Sequence, residues 1–283
     1  MKPSIWFLIL AVIVIIGDRT GGAVLRRIND NSQFRYAQMY NGSAQADLVF
    51  MGNSRGLSFY QPYVEARTGK RTANLSYNGL PAPLAKVLLI DYVERYPNHP
   101  HFIIDISLCD RHNKELISGF TCYSGYSRNL DTLLYHYSPD IWWGSKVSAL
   151  FRYNNEVFQR ALYYRDRSDK DWLLDRQIAP ALAATVPLDT FPISVQPDLI
   201  QALADAVQTV RASGSQVTLV LGPYYPGMVR DWSNLQAVRR AVEEKTGLPV
   251  LDFSQALTDP TDFGDLMHPN KKGAQRFMDL LFQ

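Results

Sequence analysis

Asp47-Leu48-Val49-Phe50-Met51-Gly52-Asn53-Ser54-Arg55-Gly56 joins a short apolar run to a serine held between two glycines. A run of this length, closed by glycine, reads as a strand buried on both faces. The glycines that follow permit the tight backbone of a strand-to-helix turn. Outward from this point the same alternation recurs. Thr72–Ser76, Phe102–Ser107, Gln216–Leu221 and Pro249–Phe253 are further short apolar runs. Between them lie helical faces at spacings near 3.6: Leu84, Val87 and Leu88; Leu199, Leu203, Val207 and Val210; Leu235, Val238 and Val242; and Ala274, Phe277, Met278 and Leu281. The pattern predicts an α/β fold, a parallel five-stranded sheet whose right-handed crossovers place helices on both faces as a three-layer α/β/α sandwich.

One connection exceeds what a crossover needs. Residues of about 108–198 separate the third strand from the fourth, and they read as an insertion or an elaborated subdomain. Thirteen of the 34 aromatic residues fall between 120 and 172. Such a density either lines a groove that stacks on sugar rings or forms a satellite core, and the core is the favoured reading. Trp142 and Trp143 are adjacent, so both rings cannot readily enter one interior. Cys109 and Cys122 are the two cysteines; their separation permits a disulfide without requiring it, and no metal-binding spacing accompanies them. No cofactor or metal site is expected.

The charge balance is uneven. The whole chain has 29 basic and 27 acidic residues, a net of +2 that makes a nucleic-acid partner unexpected. Lys2, Arg19, Arg26 and Arg27 against Asp18 supply the excess, so the body carries 25 basic and 26 acidic groups. The same N-terminus holds Ile5–Ile16, an unbroken apolar run of 12 residues behind Lys2. At 1.5 Å per residue it covers about 18 Å, the length of a signal-peptide core; continued to Leu25 it reaches about 31 Å, enough to cross a bilayer. The second reading is preferred because the only small-residue cleavage candidate, Gly21-Gly22-Ala23, stands close behind Arg19. The expected organisation is therefore a membrane anchor over 1–27 (or a signal peptide), a connector over 28–45 and a catalytic domain over 46–283, exported under either reading.

Chemistry gathers at two places. Ser54, between glycines at a strand end, is a candidate nucleophile, and helix N–H groups starting there can face a developing oxyanion. Asp265-Leu266-Met267-His268-Pro269-Asn270 precedes the terminal helix. A histidine takes a serine proton only when its other ring nitrogen is held in the right tautomer, and Asp265 supplies that restraint. Pro269 pushes His268 into extended backbone, and Asn270 is placed to cap the helix. In an α/β-hydrolase the serine elbow follows several strands and the acid lies far from the histidine; here neither holds.

These blocks resemble the SGNH (GDSL-like) hydrolase family, whose serine block follows the first strand and whose DxxH block lies near the C-terminus. The resemblance covers about 46–283 and implies a flavodoxin-like sheet. It also implies Ser54 as nucleophile, His268 as base, Asp265 as its orienting acid, and an oxyanion hole from the N–H groups of Ser54 and Gly79. The family's third block, with its asparagine, is absent; Asp105-Ile106-Ser107-Leu108-Cys109-Asp110 stands in its place, with Asn113 nearby and Asn78 as another donor. The anchor, the Asn74–Gly79 stretch and the GNSR variant resemble the exported, membrane-tethered branch connected with O-acetylation of bacterial surface polysaccharides. That branch implies an O-acetyltransferase at the inner membrane facing the periplasm, with a polysaccharide substrate and a membrane-bound O-acyltransferase partner. A carbohydrate O-acetylesterase and a non-catalytic glycan-binding or assembly protein are the alternatives. Arg55, Tyr224, Trp142 and Trp143 are candidate substrate contacts.

Overall fold

The computed structural model describes residues 3–185, 194–226, 228 and 232–283. Lys2, and residues 186–193 of the long third connection, lie outside the described residues. In chain order the helices are α1 (Pro3–Asp30), α2 (Arg35–Asn41), α3 (Gln61–Thr68), α4 (Ala82–Arg95), α5 (Lys114–Gly119) and α6 (Arg128–Tyr137). They continue with α7 (Pro139–Val147), α8 (Glu156–Tyr163), α9 (Pro180–Ala183), α10 (Pro197–Ala212), α11 (Trp232–Thr246) and α12 (Lys271–Leu281). The strands are β1 (Leu48–Met51), β2 (Thr72–Asn74), β3 (His101–Asp105), β4 (Gln216–Leu221) and β5 (Val250–Asp252). The chain divides into two compact units, one of residues 1–43 with 114–168 and one of residues 44–113 with 169–283.

The second unit contains the sheet. All four pairings are parallel and the order is β2-β1-β3-β4-β5. Side chains alternate across a strand, so Leu48, Phe50, Ile103 and Val220 face one side, where α3 and α12 cover them with Val64, Ala274, Phe277 and Met278. Val49, Met51, Phe102, Ile104 and Leu219 face the other, the side of α4, α10 and α11. The expected five strands and the helices on both faces are all found. β4 spans Gln216–Leu221 as expected, while β2, β3 and β5 end short of their apolar runs; after β3 the Asp105 carboxylate accepts from the Ser107 N–H at 2.8 Å and turns the chain into a short 3-10 helix. Because β1 continues to β2 on one side while β3 lies on the other, the carboxyl end of β1 is the switch point at which open α/β sheets form a crevice.

The first unit is helical. α1 runs without a break through Asp18 and Arg19; its apolar N-terminal part is solvent-exposed, and the helix as a whole is long and apolar enough to cross a membrane. Behind it, Phe34, Tyr36, Tyr40, Phe120 and Tyr123 form an aromatic core, with Tyr36 and Phe120 ring centroids 4.8 Å apart and Tyr40 stacked on Tyr123 at 5.1 Å. The satellite-core expectation for the aromatic-rich stretch holds for Phe120 and Tyr123. Cys109 and Cys122 are both buried free thiols, and desolvation raises the pKa of each well above the ordinary thiol value.

Candidate active site

Ser54 opens a 3-10 turn, Ser54–Ser58, directly after β1. Both glycines of the motif are required by close approach. A Cβ on Gly52 would stand 2.7 Å from the Gly56 Cα, and one on Gly56 would stand 2.4 Å from the Ser76 hydroxyl. The turn is held by Asn53, whose Oδ1 accepts from the Arg55 N–H at 2.9 Å and the Ser107 hydroxyl at 2.9 Å. Its Nδ2 donates to the Ser107 carbonyl at 2.8 Å. An aspartate at this position could accept the first two bonds but not donate the third. The asparagine of the GNSR variant thus ties the serine turn to the segment after β3, where Asp105 and Asp110 already carry carboxylates.

His268 is held as the sequence pattern requires. Its Nδ1 lies 3.0 and 3.1 Å from the two Asp265 carboxylate oxygens. Asp265 Oδ1 also accepts from the backbone N–H groups of Met267 at 2.7 Å and His268 at 2.9 Å. Burial pushes the Asp265 pKa up, but the His268 ring and these two N–H groups outweigh it, and the carboxyl stays below its usual value. The loop is closed by the Gly264 N–H donating to the His268 carbonyl at 3.0 Å. Asn270 caps α12 through the Gly273 N–H and donates to the carbonyls of Arg176 and Thr261. His268 Nε2 is buried and has no hydrogen-bond partner.

Ser54, Asp265 and His268 line one cavity of about 220 Å³, together with Leu57, Ser58, Asn78, Trp172, Leu173, Leu174 and Pro269. The three sequence-predicted residues thus line one cavity, with no hydrogen bond between Ser54 and His268. Asn78 lines the cavity and its side chain is exposed, so it is placed to donate. Gly79 follows it in a turn closed by Leu80 N–H to Tyr77 carbonyl at 3.0 Å, with a φ of +67° that favours glycine. Asn113 is occupied differently from Asn78: its Nδ2 donates to the Gly79 carbonyl at 2.9 Å, so it supports the turn.

Arg55 and Tyr224 are buried at 4 % and 2 % exposure and do not line the cavity. The guanidinium donates to the carbonyls of Gly222 and Pro223, both at 2.6 Å, and lies 3.5 Å from the centre of the Tyr224 ring. Burial pushes the Tyr224 phenol up to about 12. These two expected substrate contacts are thus internal braces that tie the serine turn to the end of β4. Trp142 and Trp143 belong to the helical unit, where they line a separate groove with Tyr135, Arg128 and Asp131. The aromatic residue that does line the Ser54 cavity is Trp172, edge-on to Tyr77 with ring centroids 5.6 Å apart. Sequence reasoning missed Trp172 and Asn53. The first lay at the end of the aromatic-rich stretch without a distinguishing neighbour, and the second stood beside the serine. Among the described residues no group of histidine, cysteine and acidic side chains could hold a metal ion. No protein-family profile matches the chain, and no curated protein matches it significantly.

Proposed function

We propose that the chain is a serine-dependent acyl-ester enzyme of the SGNH type. The observation that carries this reading is the convergence of Ser54 and the Asp265–His268 pair on one cavity at the carboxyl edge of the sheet. Ser54 Oγ attacks the ester carbonyl carbon while His268 Nε2 takes its proton, and Asp265 holds the imidazolium that forms. The Ser54 and Gly79 N–H groups and the Asn78 carboxamide are the donors proposed for the oxyanion. Collapse expels the first alcohol, which recovers the proton from His268, and leaves an acyl-serine. A second hydroxyl, deprotonated by His268, then takes the acyl group and frees Ser54.

The cavity volume supports a short acyl group, since it lies below the roughly 300–1,000 Å³ of drug-sized ligand sites. The proposed reaction is O-acetyl transfer to a bacterial surface polysaccharide, with α1 as an inner-membrane anchor, the rest of the chain in the periplasm, and a membrane-bound O-acyltransferase as donor partner. Support for the polysaccharide, the compartment and the partner comes from the resemblance carried by the apolar N-terminal helix, the Asn74–Gly79 stretch and the GNSR block. An esterase uses the same first step with water as acceptor.

The test is fluorophosphonate labelling of the full chain in detergent beside Ser54→Ala and His268→Ala. The expected result is a single adduct on Ser54, lost in both variants. An intact, folded chain that forms no Ser54-dependent adduct overturns the enzyme reading in favour of a glycan-binding protein. Given labelling, a chromogenic acetyl ester with and without an oligosaccharide acceptor separates the reactions: acetylated acceptor marks transfer, and acetate release indifferent to acceptor marks hydrolysis.

A further inference from the structure

We propose that the helical unit has a second membrane contact, a face formed by Trp143, Val147, Leu150 and Phe151 that seats in the outer boundary of the bilayer crossed by α1. The proposal rests on the reading of α1 as a membrane span. Only the first part of that helix is free of protein. From Pro3 to Gly17 it has 15 residues, and at 1.5 Å each these cover about 22 Å, whereas the hydrocarbon core is about 30 Å thick. About 20 residues are needed, which carries the core to the level of Gly22.

At that level α1 is not alone. A Cβ added to Gly22 would meet the Ala149 side chain at 2.4 Å, and one on Gly21 would meet Leu150 at 2.9 Å, so the chain at 149–150 packs directly on the helix. The segment after α7 therefore lies at the depth where the hydrocarbon ends. Its side chains suit that depth. Val147 is 72 % exposed, Trp143 57 %, Leu150 42 % and Phe151 37 %. Trp143 and Val147 are four residues apart on α7 and share a face. Tryptophan is enriched where a bilayer meets water.

The polar groups at this level support the same conclusion independently. Asp18 and Arg19 would be costly near hydrocarbon if bare. The Asp18 carboxylate accepts from the Ser148 hydroxyl and from the N–H groups of Ala149 at 2.8 Å and Leu150 at 3.1 Å. The Arg19 guanidinium donates to the Val147 carbonyl at 2.9 Å. Helix and segment thus satisfy each other's polar groups and leave apolar side chains outward. A lipid surface fits this arrangement because the exposed face is continuous with the apolar surface of the helix that enters the membrane.

The experiment uses the full chain in phosphatidylcholine–phosphatidylglycerol vesicles. Both native thiols are buried, so the unsubstituted chain sets the labelling background. An environment-sensitive fluorophore is placed by Trp143→Cys, Val147→Cys, Val12→Cys on the free part of α1, and Asp166→Cys as the aqueous reference; each variant is first required to retain the parent melting curve. The expected result is quenching at 143, 147 and 12 by lipid-borne nitroxide and shielding there from aqueous iodide, with the reverse at 166. Iodide quenching at 143 and 147 with position 12 in lipid overturns the seating and leaves the span intact. Iodide quenching at position 12 as well overturns the span beneath it. Shielding of 143 and 147 from both quenchers means that protein, such as a second copy, covers the face, and this too overturns the proposal.

Discussion

Arg55→Met should destabilise the sheet-containing unit by about 2–4 kcal/mol and displace the serine turn with it. Methionine keeps most of the buried stem but removes the guanidinium. The carbonyls of Gly222 and Pro223 then lose donors at 2.6 Å, and a buried polar group left unpaired costs about 1–3 kcal/mol. The Tyr224 ring loses a cation 3.5 Å from its centre, worth about 1–2 kcal/mol away from water. Relief from holding a charge in the interior offsets part of this sum. Arg55→Lys keeps the charge but not the planar guanidinium, whose Nη2 reaches both carbonyls while its face lies on the Tyr224 ring, so it should fall between the parent and Met. Equilibrium urea unfolding, followed through the transition of the sheet-containing unit, reads the stability, and the fluorophosphonate rate at Ser54 reads the turn. A loss below about 0.5 kcal/mol, the range of ordinary surface substitutions, would refute the brace.

Two further outcomes follow. Burial raises the Asp110 carboxyl to about 6, so the folded chain binds more protons than the unfolded chain between the ordinary value of 3.8 and 6. Stability from this group therefore falls as pH rises through that window and levels off above it; Asp110→Asn should flatten that part of the profile and gain about 1–3 kcal/mol near pH 8, measured by unfolding at pH 4 and pH 8. Gly79→Ala forces a side chain into positive φ and to 2.7 Å from the Asn113 amide nitrogen, so a loss of about 1–2 kcal/mol is expected, with slower labelling of Ser54; an unchanged midpoint and rate would remove Gly79 from the site.

The strands were legible because a parallel sheet covered on both faces leaves continuous apolar runs, as in Leu48–Met51 and Gln216–Leu221. The end of β3 was not, because a side-chain carboxylate, Asp105, decides where that ladder stops. The Asp265–His268 pair was legible for a local reason: the two residues are three apart and bond within their own loop. The role of Arg55 was hidden because its carbonyl partners stand 167 and 168 residues away, and nothing in Gly222 or Pro223 as residue types announces an acceptor. Trp142 and Trp143 drew attention as a pair, yet Trp172 is the ring at the cavity, placed there by the return of the chain to the sheet-containing unit.

The loop that carries His268 has a consequence for how the site fails. The bonds from the Asp265 carboxylate to the His268 ring and to the Met267 and His268 N–H groups close within four consecutive residues. The Asp265–His268 pair is thus held mainly by its own loop, with the Arg55 guanidinium reaching the Met267 carbonyl at 3.5 Å, whereas the Ser54 turn depends on Asn53, Ser107, Asn74 and Arg55 from segments scattered along the chain. Under mild denaturant the two halves should therefore part company: the Asp265–His268 pair stays joined after Ser54 has drifted, and the proposed activity is lost with the looser half.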